Sequence, residues 1–343
     1  MKSKSLEFGH VTGLLRHAGF ALAMTVSLTS VAHAADMRLK FAGTVPVDHQ
    51  GTKMMKQIAE EIEDADVGLK VSVFPANQLG SGEELFEDAS RGNIDFVMGF
   101  IYANKDPVFE INSMPYLASD WDEMQSIVRN HDSAFNQIMA EHLDKTGLHL
   151  IENNPEGFAN VVAMKKPDHW DDIGDKKMNI RVWSSNIVND TMKTLGFNTT
   201  TIAWADIFPS MQSGIVDGAE CCTKQEAYTV FAKSGVGKYY IDYNAFMGIS
   251  TFYGAKKTWE EMNDEQRQVV STAFKHAADD YFAWNKENDA SFKSKLEDAG
   301  YEVLTPSPGK AAAMKERVRS IIWPKVGEIV GSDIIKRLQA DIK

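Results

Sequence analysis

Apolar positions along this chain switch repeatedly between a period of two and a period near 3.6. MRLKFAGTV (37–45) alternates as a first strand, and HQGTKMMKQIAEEIEDA follows with Met54, Met55, Ile58, Ala59 and Ile62 on one helical face. LKVSVFPANQLG predicts a second strand closed by Pro75 and a turn, residues 83–90 a helix, and RGNIDFVMGF a third strand. The strand ends fall near Thr44, Ser81 and Phe100. Residues 120–147 predict two helices or one bent one. LHLIENN reads as a strand, and β character resumes in NPEGFANVVAMKK after a break at Pro155-Glu156-Gly157, the candidate first crossing between domains.

Residues 177–222 carry the clearest rhythm: MNIRVW as strand, NIVNDTMKTLG as a helix closed by Gly196, TTTIAW as strand, ADIFPSMQSG as helix, and the apolar run IVDGAECC. A βαβ alternation implies a parallel sheet, and such sheets bind ligands outside the carboxyl ends of their strands. Arg181, Trp204 and Glu220–Cys221 all lie near those ends and converge on one crevice. KYYIDYNAFMGISTFYGAKK (238–257) holds two β runs that cross back. A long amphipathic helix then covers 263–300, YEVLTPS is a last strand, and the chain from Lys310 is mostly helical. No Gly/Ser linker separates the halves, which favours a hinged clamshell over separate beads.

The first 34 residues read differently. Lys2, Lys4 and Arg16 precede an apolar run from Ala18 to Val31 that ends at Ala32-His33-Ala34, the pattern of a cleaved secretory signal peptide. The formal charge of −12 becomes −14 without that segment, a balance that argues against nucleic acid as a partner. The 343-residue chain has two cysteines, Cys221 and Cys222, adjacent in sequence, so a long-range disulfide within one chain is impossible. Two partly buried thiols are the favoured state, with a vicinal disulfide the alternative in an oxidising compartment.

Catalytic patterns are scarce. The chain contains no G-x-S-x-G elbow, H-E-x-x-H, phosphate-binding glycine loop or C-x-x-C, and its histidines are scattered. A nucleophilic Cys221 would need a nearby base, and the converging segments hold no histidine. Glu83-Glu84 and Asp171-Asp172 read as helix N-terminal charges or exposed surface. Neither a cofactor nor a metal site is expected.

Several stretches together carry a resemblance. QLGSGEELFEDASRGNIDFVMG, FEINSMPYLAS, KMNIRVW, ADIFPSMQSGIVDGAE, KYYIDYN and TWEEMNDEQRQVVSTA stand in the order and spacing of the solute-binding proteins of tripartite ATP-independent periplasmic (TRAP) transporters, the C4-dicarboxylate-binding-protein family. The chain resembles that family over nearly all its length after residue 34. The resemblance implies an α/β, two-lobed periplasmic-binding-protein clamshell with hinge strands and a long bracing helix. It implies a monomer in the periplasm that performs no chemistry, captures a small solute and delivers it to the permease subunits of a TRAP transporter. On this reading 35–156 with about 248–285 form one lobe, and 157–247 with about 286–343 the other. A periplasmic cysteine-dependent hydrolase and a ligand sensor for a membrane receptor are the alternatives.

In the family, the position of Arg181 forms the bidentate salt bridge to a substrate carboxylate, which a planar guanidinium fork suits. Two usual helpers are replaced. Ala159 stands where a second arginine is common, and Cys221 stands where an asparagine follows the glutamate of V-D-G-x-E. Phe100, Trp204, Trp183 and Ser184 fall at the other matched pocket positions, and Glu220 is placed to neutralise Arg181. The departures leave two ligand classes open: a small organic acid on Arg181, or a small amine, amino alcohol or zwitterion held also by aromatic rings.

Overall fold

The computed structural model describes residues 37–341; the expected signal peptide lies outside them. The described strands are β1 (Met37–Gly43), β2 (Leu69–Phe74), β3 (Phe96–Gly99), β4 (Leu148–Ala163), β5 (Asn179–Val182), β6 (Asn198–Thr201), β7 (Gly218–Cys222), β8 (Tyr239–Ala255) and β9 (Glu302–Leu304). They form one sheet in the order β2-β1-β3-β8-β4-β7-β5-β6, with β9 also paired to β8. β1 is parallel to β2 and β3, and β5 is parallel to β6 and β7, as the βα alternation of each half requires.

The two halves meet on the antiparallel pair β4 and β8, which runs from Leu148 opposite Ala255 to Ala163 opposite Tyr239. β3 adds to one end of β8, at Thr251–Gly254. β7 adds to the far end of β4, at Asn160–Ala163. The sequence reading expected two β runs in each of these segments. Each is one strand instead: the register shift between Pro155 and Gly157 absorbs the break in β4, and the shift at Ala159/Val161, where β8 bulges between Ile241 and Phe246, absorbs the one in β8. Gly157 sits there at φ +134, a conformation a side chain would strain. Further shifts at Leu150/Glu152 and Ala159/Val161 put three irregularities into the strand that joins the halves.

Helix Gln50–Asp64 buries the predicted stripe Met54, Met55, Ile58, Ala59 and Ile62 against Leu39, Phe41 and Val71 of β1 and β2. The expected pair of helices in 120–147 is a short turn at Trp121–Met124, continued by a wider π turn to Arg129, and a separate helix Ala134–Lys145. The long helix is Asp264–Asp298, about 52 Å at 1.5 Å per residue. Asn263 and Gln266 close a reciprocal capping box at its start. Its Phe274, Ala277, Ala278 and Tyr281 pack into the core beneath β1 and β3. Leu296, near its other end, packs with Cys222 and Tyr240 in the core beneath β7. One helix therefore braces both hydrophobic cores.

The C-terminal helices tie back across the molecule. Helix Pro308–Val330 contacts both the turn Pro107–Ser113 and helix Asn186–Thr194. Trp323 donates its indole N–H to the Pro115 carbonyl at 2.9 Å, and Lys325 pairs with Asp190 at 2.6 Å. Helix Ser332–Asp341 lies on Ala134–Lys145, with Arg337 forking onto Glu141 at 2.8 and 3.0 Å. Among the described residues, no helix is long and apolar enough to cross a membrane.

Candidate functional site

A cavity of about 710 Å³, its mouth included, opens where the two halves of the sheet face each other. One side comes from the loop after β3, with Phe100, Ile101 and Tyr102, from the turn carrying Asn112 and Ser113, and from Glu83 in the first turn of helix Gly82–Ser90. The other side comes from Arg181 and Trp183 of β5 and its exit, Trp204 after β6, Cys221 of β7 and Glu226 of the turn that follows. Glu156 and Ala159 of β4 and Met247–Ile249 of β8 supply the back wall. The site thus stands at the carboxyl ends of the parallel strands and on the irregular middle of the joining pair.

Arg181 is 4 % exposed. Its Nε donates to the Ile202 carbonyl at 2.7 Å and its Nη1 to the Glu220 carbonyl at 3.2 Å. Backbone acceptors orient the fork without cancelling its charge, and Nη2 has no partner among the described residues. Burial lowers its pKa to about 10, which still leaves it cationic at neutral pH. A rigid, desolvated guanidinium with one edge unclaimed is a strong attractor for a carboxylate.

The aromatic residues span the opening. Phe100 and Trp204 face one another from opposite sides, with ring centroids 6.4 Å apart at 53°. Trp183 packs edge-on against Phe246 at 5.3 Å and donates its indole N–H to Ser113 Oγ at 3.1 Å. Glu110 makes a second tie from the same turn. Its carboxylate accepts the Ser185 hydroxyl and the Asn186 N–H, the latter at 3.0 Å, at the start of helix Asn186–Thr194. Burial pushes Glu110 above the usual carboxylate range, and these bonds pull against that rise.

Of the eight residues the sequence singled out, Phe100, Ala159, Arg181, Trp183, Trp204 and Cys221 line this one cavity. Two do not. Ser184 is exposed, because the strand exit turns Trp183 inward and the next side chain outward. Glu220 meets Arg181 through its backbone carbonyl, not its carboxylate. The Glu220 carboxyl, 1 % exposed, lies on the opposite face of β7 from Cys221, near Tyr116 and Tyr243, whose hydroxyls burial pushes up. Burial in turn raises Glu220 to about 8, so it does not neutralise the guanidinium at pH 7. The favoured reading of the cysteines also changes. Cys221 and Cys222 are joined in a vicinal disulfide, and no free cysteine exists among the described residues, which removes the thiolate a cysteine hydrolase requires.

Sequence reasoning missed Glu156, Glu226, Tyr102 and Asn112, and read Glu83 as a helix N-terminal charge or exposed surface; it does stand in the first turn of its helix, and it also lines the cavity. Glu226 was legible as the fourth residue of a Thr223-x-x-Glu226 capping box, which the structure forms with Thr223 N–H to Glu226 Oε2 at 2.9 Å. Glu156 stood in view between Pro155 and Gly157. A carboxyl inside an otherwise apolar β run signals a buried polar site, and here it faces the cavity.

The family model for bacterial extracellular solute-binding proteins, family 7, matches residues 41–325. The ectoine-binding periplasmic protein TeaA of Halomonas elongata is 26 % identical over 294 residues, 80 % of this chain and 81 % of that one. The C4-dicarboxylate-binding periplasmic protein DctP of Rhodobacter capsulatus is 21 % identical over 327 residues, 93 % of this chain and 95 % of that one. Among solved structures, a TRAP periplasmic solute-binding protein from Shewanella oneidensis with bound succinate superposes with a TM-score of 0.80. It is 19 % identical, and the match covers 90 % of this chain and 100 % of that one.

Proposed function

This chain belongs to the bacterial extracellular solute-binding proteins of family 7, and from that premise we propose that its cleft closes over one small polar organic solute and delivers it to the membrane permease subunits of a TRAP transporter. The observation that carries the proposal is Arg181. It is desolvated, locked by two backbone carbonyls and left with an unclaimed edge in a cavity between two lobes. A buried cation of this kind costs several kcal/mol unless a partner arrives, so a solute carboxylate completes the site. Exclusion of water on closure then strengthens each polar contact. Ectoine and C4-dicarboxylates, named for the two relatives, share a carboxylate group.

The remaining roles follow from position. Phe100, Trp183 and Trp204 form an aromatic rim, Ala159 leaves room where an arginine is common in the family, and Cys221 presents a disulfide sulfur to the cavity. One lobe comprises 35–156 with about 248–285. The other comprises 157–247 with the segment from about 286, whose final helices reach back as a strap. The protein acts as a monomer in the periplasm after loss of residues 1–34, without catalysis of its own and without nucleic acid.

A thermal-shift screen of organic acids, amines and zwitterions tests the reading. A ligand at 100 times its dissociation constant adds about 2.7 kcal/mol of stability. Arg181→Ala should abolish the shift given by any carboxylate ligand. If no solute of any class raises the melting temperature of the native protein, the cleft does not do what is proposed.

A further inference from the structure

Three carboxyls, those of Glu83, Glu156 and Glu226, line the cavity against one cation, Arg181. Glu156 is 6 % exposed, and its Oε1 accepts from Ser250 Oγ at 2.8 Å and Tyr281 Oη at 3.1 Å. Glu226 is 4 % exposed, and its Oε2 accepts the Thr223 N–H at 2.9 Å and the Thr223 hydroxyl at 3.1 Å. Each carboxyl keeps a second oxygen without a donor among the described residues, and both form part of the cavity wall. Asn112 Oδ1, in the same wall, is buried with no partner at all. Against these acceptors the lining holds one cation, Arg181, beside the neutral donors of Tyr102, Asn112, Ser113 and Trp204.

Resting on the solute-binding reading above, we infer that the solute is a zwitterion: its carboxylate meets Arg181, and an ammonium group with N–H donors meets Glu156 and Glu226. A dicarboxylate brings neither a cation to balance the carboxyls of this wall nor a donor for Asn112 Oδ1 and the open carboxyl oxygens. An ammonium brings up to three donors and one positive charge, which is what this wall lacks. A quaternary ammonium brings the charge without the N–H groups and leaves the orphaned oxygens unpaired.

Electrostatics support the geometry. Burial raises Glu156 to about 8 and Glu226 to about 7, and the charge of Glu226 adds to the rise at Glu156, so this part of the wall holds a proton near neutrality when no cation faces it. The groups facing the pair are Tyr281 of the long helix, Ser250 of β8, Thr223 and, across the cavity, Arg181. Arg181 in turn feels Tyr102, Glu83 and Glu220. A ligand ammonium displaces the proton held there. Binding should therefore release protons at pH 7, and affinity should rise as pH increases from about 6 to 8, until the amine itself loses its charge.

The native protein is screened against two solute sets matched in size: nitrogen-free mono- and dicarboxylates such as succinate, and amino-carboxylates such as 4-aminobutanoate together with betaines. Stabilisation confined to amino-carboxylates bearing N–H groups is the expected result. Titration calorimetry in buffers of different ionisation enthalpy should then register proton release. Glu156→Gln and Glu226→Gln, which preserve the bonds to Tyr281 and Thr223, should each weaken binding at least tenfold and abolish that release. Stabilisation by nitrogen-free acids, or by betaines equally with N–H ammonium compounds, overturns this inference and leaves solute binding intact. Stabilisation by neither set overturns solute binding itself.

Discussion

Tyr281, midway along the 35-residue helix, donates its hydroxyl to Glu156 Oε1 at 3.1 Å. The helix that braces both cores therefore also grips the back wall of the cleft. Both groups are buried, so the bond exists to satisfy two polar atoms that water does not reach. Tyr281→Phe should cost about 1 kcal/mol of stability in urea unfolding, since Ser250 still serves the same oxygen. It should also loosen solute binding, and a variant with native affinity would separate the brace from the site.

Arg181→Lys gives a sharper test than truncation. A lysine keeps the charge but cannot hold the Ile202 and Glu220 carbonyls and still present a planar edge to a carboxylate. Affinity for a carboxylate ligand should fall roughly 30- to 160-fold, the scale of about 2–3 kcal/mol for a charged hydrogen-bond pair. Calorimetry reads the loss directly.

The vicinal disulfide should matter locally and little elsewhere. Bridging adjacent residues closes almost no loop, so it barely restricts the unfolded chain. Reduction should move the unfolding midpoint by less than about 1 kcal/mol equivalent. Because Cys221 lines the cavity, reduction should still change solute affinity by several-fold. Thiol titration should find no thiol before reduction and two after it, in denaturant.

Closure depends on ties that cross the opening. Trp183 to Ser113 at 3.1 Å is the simplest to remove. Ser113→Ala should destabilise the closed arrangement by about 1 kcal/mol, which appears as a roughly fivefold loss of affinity with little change in the solute preference. Tryptophan fluorescence follows the closure.

Acid should weaken the protein through His49. Its Nδ1 caps helix Gln50–Asp64 by accepting the Gly51 N–H at 3.1 Å, and its Nε2 lies 3.1 Å from the Gln225 amide. Burial lowers its pKa from 6.5 to about 4. The folded state thus binds fewer protons than the unfolded state between those values. Stability is full above pH 6.5 and falls as pH drops toward 4, by up to about 3 kcal/mol. His49→Gln should flatten that part of the pH–stability curve, read by chemical unfolding at each pH.

The fold was legible wherever one periodicity held for a full element. The stripe from Met54 to Ile62, the Gly196 stop and the long helix after Asn263 all stand as the pattern predicts. The joining strands were harder to read, because Pro155 and Gly157 break the alternation that identifies a strand, and only pairing with β8 restores it. The site divides in the same way. Arg181, Trp204 and Cys221 lie at strand ends that local pattern locates. Tyr102 and Asn112 reach the cavity through long-range packing, which leaves no local signature, and the one local sign of Glu156 is its charge within an apolar β run. Glu83 looked like an ordinary helix-start charge because its neighbour Glu84 performs that task, closing the box with Ser81.

The pairing of β4 with β8 also sets how the chain can reach this shape. Leu148 finds Ala255 and Gly157 finds Gly248 across roughly 90 to 110 residues of intervening chain. Such contacts must absorb a long loop closure before they return any stability, which makes their formation slow. The half of the sheet holding β1 to β3 joins through β8 and the half holding β5 to β7 joins through β4, so the halves meet only once the β4–β8 pair forms. A chain cut between β4 and β8 yields two fragments, each lacking a strand of both halves. The two walls of the cleft are therefore products of a single folding event.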